Sequence, residues 1–303
     1  MERTAATLTV PSPVTAEVLA HALREVIKFL LFVRQQMPAS YDELRATLLD
    51  SLGPAPIGLP ADPTDPGVHP PASPGRKRKR VSSADRAAAR LFREIEATLG
   101  CLTAATLRRA RPDDVILFLG ATPLRPKEIF TFDLRALAEK YAANAAADAP
   151  GAARTADNAA RRAIRECLPA VSASPPATSA MKAFVFLRAR QAPGEGARAD
   201  EAGCGNVDAT VPAGFLPKRG FKPSTRQTRV SVLLEVRART PGGVTGDARD
   251  GEVSDGSRDA NAAGDGAGDG NREGAGDGDG DEDKDGDWLW YQCATTVKGV
   301  KGS

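Results

Sequence analysis

Three aspartates at alternate positions before a glycine, Asp281-x-Asp283-x-Asp285-Gly286, have the oxygen spacing that opens a calcium-binding loop. Such a loop needs a bidentate glutamate at its twelfth position, where this chain has Gln292. Its flanks are a Gly/Asp tract and an apolar run, not two helices, so these aspartates read as a solvated acidic linker. Gly264, Gly266 and Gly268 imitate part of a dinucleotide loop, yet no strand precedes them, no helix follows, and the interleaved aspartates repel phosphate. Neither GxxxxGK[ST] nor HExxH occurs.

The nucleophiles and soft metal ligands are as sparse. Cys101, Cys167, Cys204 and Cys293 form no CxxC and no short-range pair, which points to a reducing compartment rather than a disulfide scaffold. Cys101, Cys167 and Cys293 lie in helix-like or strand-like stretches and are expected as small buried apolar residues, Cys204 as a loop thiol. The two histidines, His21 and His69, are too few for a histidine zinc site or a Ser/His or Cys/His pair. The residues therefore give no expectation of catalysis, of a resident metal or of a cofactor.

Charge is more informative than chemistry. The chain of 303 residues has a formal net charge of only +2. Residues 241–287, however, hold twelve Asp and three Glu against three Arg and one Lys, a net of −11, which leaves +13 on the remainder. Hydrophobic residues at 41% suffice for a core, and no apolar run approaches the roughly 20 residues of a membrane span. A secretory start, a collagen and a wholly disordered chain are likewise not expected.

The elements that must carry any function follow from periodicity. Pro11-Ser12-Pro13 predicts a helix start with Ser12 as cap; apolar residues from Val18 to Leu31 then recur at helical spacing until Pro38. A short helix is expected over Ser40–Leu49, a longer one over about Ser82–Arg109, without the acid of a capping box when read from Ser83, and a third over Arg154–Leu168. Val115–Leu119 and Lys127–Asp133 predict a hairpin, with Phe130 and Phe132 on one face. Further strands are expected at Met181–Arg188, at Val230–Arg237 and, beyond the acidic tract, at Trp288–Tyr291. Proline recurs without period over 53–80, which with 241–287 reads as disordered. The order predicts one α+β domain over 12–303 interrupted by two linkers, whose Trp288 and Trp290 must return to the main body.

Two basic clusters stand out. Arg76-Lys77-Arg78-Lys79-Arg80 has the makeup of a nuclear-import signal in a linker. Arg161, Arg162 and Arg165 surround Ile164 on a predicted helix, an apolar spot ringed by guanidinium groups such as protein-binding surfaces use.

Three segments in register resemble the comet family, the Mad-two-binding spindle-checkpoint adaptors with a HORMA-like domain. They are Ile27 to Pro38 with its Arg34-Gln35-Gln36, the hairpin Val115–Gly120 with Pro126–Leu134, and Trp288–Gln292 followed by Thr296-Val297-Lys298-Gly299. The resemblance implies a HORMA-like fold whose C-terminal segment wraps round the body as a belt and returns Trp288 and Trp290 to the core. It implies a non-enzymatic adaptor without cofactors, which binds the closed conformer of a Mad-two-type client and presents it to a Pch-type AAA+ ATPase. Checkpoint silencing in nucleus and cytoplasm, at spindle or kinetochore, would follow, with meiotic HORMA axis proteins as further clients. Carried over residue by residue, the client contacts fall on Arg161, Ile164 and Arg165, with Ile164 in place of the family's aromatic residue, and on Val33 in place of its glutamine. The ATPase contact falls on Pro217 and Lys218 after Phe215. Two rivals stand beside this reading: another HORMA scaffold that traps a partner peptide in meiosis or repair, and a basic nucleic-acid-binding module. Nucleic acid and membrane are not the partners the resemblance implies.

Overall fold

The computed structural model describes residues 2–52, 82–138, 140, 152–175, 179–190, 211–239 and 288–300. Its helices are α1 (Ala16–Val33), α2 (Tyr41–Leu52), α3 (Ser83–Gly100), α4 (Ala104–Ala110) and α5 (Ala152–Ser172). Its strands are β1 (Glu2–Val10), β2 (Asp114–Thr122), β3 (Arg125–Asp133), β4 (Lys182–Arg190), β5 (Phe215–Pro217), β6 (Val230–Ala238), β7 (Trp288–Cys293) and β8 (Val297–Lys298). They form one mixed sheet in the order β1-β6-β3-β2-β4-β7-β5, with β8 also pairing with β4. The expected α+β class holds.

Alternation along the strands separates two faces. Val115, Leu117 and Leu119 of β2, Phe130 and Phe132 of β3, and Val230, Val232, Leu234 and Val236 of β6 face the helices. There they meet Leu19, Leu23, Ile27 and Leu30 of α1, Phe92 and Ile95 of α3, and Ala163 and Cys167 of α5 in the main core. Each fully buried Leu, Ile or Phe contributes about 1.5–3 kcal/mol. The opposite parity, Ile116, Phe118, Ile129, Phe184 and Phe186, forms a smaller aromatic cluster under Phe221 and Trp290.

Several expectations change. Residues 2–10, outside the expected 12–303, form an edge strand parallel to β6, from Glu2 opposite Val230 to Val10 opposite Ala238. Thr15, not Ser12, caps α1: its hydroxyl accepts from Val18 N at 3.3 Å. The helix expected over Ser82–Arg109 is two helices, because Cys101–Thr103 leaves the helical path and Thr103 caps a second start. A capping box does open α3, one residue earlier than the reading from Ser83: Asp85 N donates to Ser82 Oγ and Ser82 N to the Asp85 carboxylate. The segment 53–80 with its Arg76–Arg80 run, the segment 241–287 with its aspartates, Cys204 and His69, all read above from the sequence, lie outside the described residues.

Candidate protein-interaction surfaces

The Arg34-Gln35-Gln36 motif closes α1 and ties three distant segments together. Gln36 N donates to Leu31 O at 2.8 Å and Gln35 N to Phe32 O at 2.9 Å, the bond pair of a Schellman ending. Gln35 takes the left-handed position at φ 55°, where glycine is usual. Arg34 turns inward and is 1% exposed; its Nε donates to Glu128 Oε2 at 2.7 Å and its Nη2 to Oε1 at 2.5 Å. The remaining guanidinium protons go to Ser174 O at 2.9 Å and Pro175 O at 3.0 Å, at the end of α5. Two buried charges with every direction satisfied are tolerable; either one alone is not.

Gln36 reaches the other way. Its side-chain amide donates to Arg34 O at 2.7 Å, and its Oε1 accepts from Met181 N at 2.6 Å, just before β4. Val300 N donates to Gln36 O at 3.1 Å and Gly299 N to Met181 O at 2.9 Å, so the end of the C-terminal segment is latched onto the same residues. Lys298 N donates to Glu94 Oε2 of α3 at 2.8 Å. Upstream, β7 lies antiparallel between β4 and β5, with Leu187 opposite Tyr291 and Phe215 opposite Cys293.

Trp288 and Trp290 do return to the body, but not to the main core. By alternation Tyr291 and Cys293 face the helices and are buried, while both tryptophans are half-buried on the outer face. The Arg188 guanidinium lies 4.6 Å from the Trp288 ring centre and 5.8 Å from that of Trp290. Asp114 holds Arg188 in place, with Nε to Oδ2 at 2.6 Å; burial raises the Asp114 carboxyl above its ordinary value against the pull of Arg188. Trp290 meets Phe221 edge-on at 5.1 Å.

The two expected partner surfaces lie on different parts of the sheet. Helices α1 and α5 run side by side, joined at their starts by His21 Nε2 and Asp157 Oδ1 at 2.9 Å and at their ends by Arg34. Arg161 and Arg165 are exposed on α5, and Leu168, one turn on, is 43% exposed. Ile164 is half-buried against the core, so the apolar spot is a shelf between arginines rather than a free knob. Val33 is also half-buried against the core; its neighbour Phe32, 43% exposed, is the open apolar residue there. Arg162 is bound to Glu166 at 2.7 Å, and Glu166 also accepts from Thr9 N at 2.6 Å, which fixes α5 onto β1.

Pro217 and Lys218 sit at the other sheet edge. Pro217 is exposed at the end of β5, and Lys218 N donates to Trp290 O at 2.7 Å. Six strand intervals separate β1 from β5. At about 4.8 Å each, the α5 side and the Pro217–Lys218 edge are on the order of 30 Å apart.

Sequence reading had not singled out Glu128 or Glu166. Glu128 carried a signal, because it shares parity with inward-facing Phe130 and Phe132 and an inward acid requires a cation. Among the described residues no group of His, Cys, Asp and Glu is arranged to hold a metal ion. No helix is long and apolar enough to cross a membrane. No model of a known protein family matches the chain, and no curated protein matches it.

Proposed function

We propose that the protein is a HORMA-like adaptor that binds the closed conformer of a Mad-two-type client and presents it to a Pch-type AAA+ ATPase, as in silencing of the spindle checkpoint. The observation that carries the reading is the convergence on Arg34 and Gln36 of the three segments that resemble the comet family. Arg34 binds Glu128 of the hairpin, and Gln36 binds Met181 and packs on Gly299 of the C-terminal segment. A C-terminal strand that returns after a long insert and is latched beside β4 suits the belt of a closed HORMA-like domain.

In this reading the α5 face, with Arg161, Arg165 and the Ile164–Leu168 shelf, receives the client, and Pro217 and Lys218 meet the ATPase. Arginine beside apolar surface suits a protein partner, since it is planar and weakly hydrated. The separation of the surfaces supports a bridging role. Size-exclusion chromatography with a closed client, followed by client-dependent ATP hydrolysis by the remodeller, tests it. Failure to co-elute, with retention of a DNA duplex instead, would favour the nucleic-acid module.

A further inference from the structure

The outer face of the sheet carries a stripe of positive charge that the adaptor reading does not use beyond Lys218. After β5 the chain crosses this face: Phe221 packs on Phe118, Phe186 and Trp290, and Ser224 N then donates to Leu124 O at 2.9 Å. Arg229 N donates to Lys127 O at 2.7 Å, and Thr228 Oγ1 to Pro126 O at 3.2 Å, which ties the crossing segment to the β2–β3 turn. Along this path the two segments carry Arg125, Lys127, Lys218, Arg219, Arg226 and Arg229.

No Asp or Glu occurs in 115–127 or 211–234. None of those six cations has an ion pair to a described carboxylate. Arg188 and Arg237, on strands of the same sheet, are by contrast held by Asp114 and Glu235. All six are exposed except Lys218, which is half-exposed.

We propose that this stripe is the docking surface for the chain's own acidic segment, residues 241–287. Charge complementarity favours this occupant, since the segment carries −11 against +13 on the rest of the chain. Its attachment points allow it: both lie at the end of the sheet away from Arg125, Lys127 and Arg229, one β6 length from Arg229, which the length of the segment spans. The segment leaves just after Arg239, beyond β6, and rejoins at Trp288, where β7 leads within three residues to the carbonyl that binds Lys218 N. A chain of that length reaches on the order of 150 Å at most, against about 30 Å for a nine-residue strand. Tethering also gives the segment an advantage over any free polyanion of equal charge. The docking itself does not depend on the adaptor reading.

Carbodiimide cross-linking of the full chain, which joins carboxylates to lysine amines in direct contact, tests the docking without any ATPase. Lys127 and Lys218 are expected to couple to carboxylates of 241–287 within the monomer, well above Lys140 and Lys298. Raising salt from about 0.05 to 0.5 M should cut that yield about fivefold or more, as screening shortens the Debye length. The paired change Arg226→Glu and Arg229→Glu, both on exposed side chains, should cut it similarly while leaving the melting temperature in place. Cross-links spread evenly over all four lysines, or insensitive to salt, overturn the proposal. Cross-links confined to a dimer give the stripe to a second copy, and an absence of cross-links to 241–287 with a DNA duplex retained instead gives it to nucleic acid; each overturns it too.

Discussion

Gln36 and Gly299 approach so closely that a Cβ at position 299 would lie 2.5 Å from Gln36 Oε1 and 2.7 Å from Met181 O. The glycine is required by space, and the glutamine by the amide of Met181 that it satisfies. Through this pair the last described residues of the chain report on the end of its first helix.

Gly299→Ala should therefore destabilise the fold by about 1–3 kcal/mol, the usual cost of overpacking. Gln36→Ala should cost about 1–3 kcal/mol by leaving Met181 N–H without its buried acceptor. Urea unfolding followed by tryptophan fluorescence measures both. If the C-terminal segment were not latched there, Gly299→Ala would be neutral.

The ion pair beneath α1 has its own signature. Arg34→Met or Glu128→Leu alone should cost about 3–5 kcal/mol, because each strands a buried charge. The double variant should recover most of that loss. A double-mutant cycle in urea checks it; additive losses would contradict a coupled pair.

Gln35 offers a test of opposite sign. At φ 55° glycine is relieved of the strain that a side chain carries there, so Gln35→Gly should stabilise by up to about 1 kcal/mol. Gln35→Val should lose stability, since a β-branched residue fits that region poorly. Thermal denaturation of the two variants side by side gives the comparison.

Thiol chemistry follows burial. Burial pushes both the Cys167 and the Cys293 thiol up to about 12, so at neutral pH each is protonated and a poor nucleophile. Brief iodoacetamide treatment of the native protein near pH 7.5 should leave both unmodified, and the same treatment in denaturant should alkylate both. Mass spectrometry of the peptides decides it. Native alkylation of Cys293 would show that β7 opens.

Much of this was legible beforehand. β3 and β6 could be read from alternation, β2 from a continuous apolar run bounded by Asp114 and Gly120, and the return of Trp288 from the abrupt change of composition after the acidic tract. β1 was not legible: Glu2–Val10 is mostly small or polar and is a strand only because β6 lies beside it. The break at Cys101 was missed because Leu102 and Leu107 keep an apolar pattern across it, while the Thr103 cap sets a new start. The tryptophans were expected in the core for their size, yet strand parity places Tyr291 and Cys293 there instead. Arg34 read as part of a family motif, but its work is structural, which only the position of Glu128 reveals.

The most direct measurement of the adaptor reading is a crossed pair of variants assayed for closed-client binding and for client-dependent ATP hydrolysis. Arg161→Glu with Arg165→Glu changes two exposed side chains and should weaken client binding at least tenfold. Lys218→Glu with Pro217→Ala should leave client binding intact and abolish stimulation of the ATPase. Ile164→Arg is a poorer probe, because Ile164 also packs on the core. One variant should lose the client and the other only the ATPase; two variants that both behave like the parent would contradict the adaptor reading.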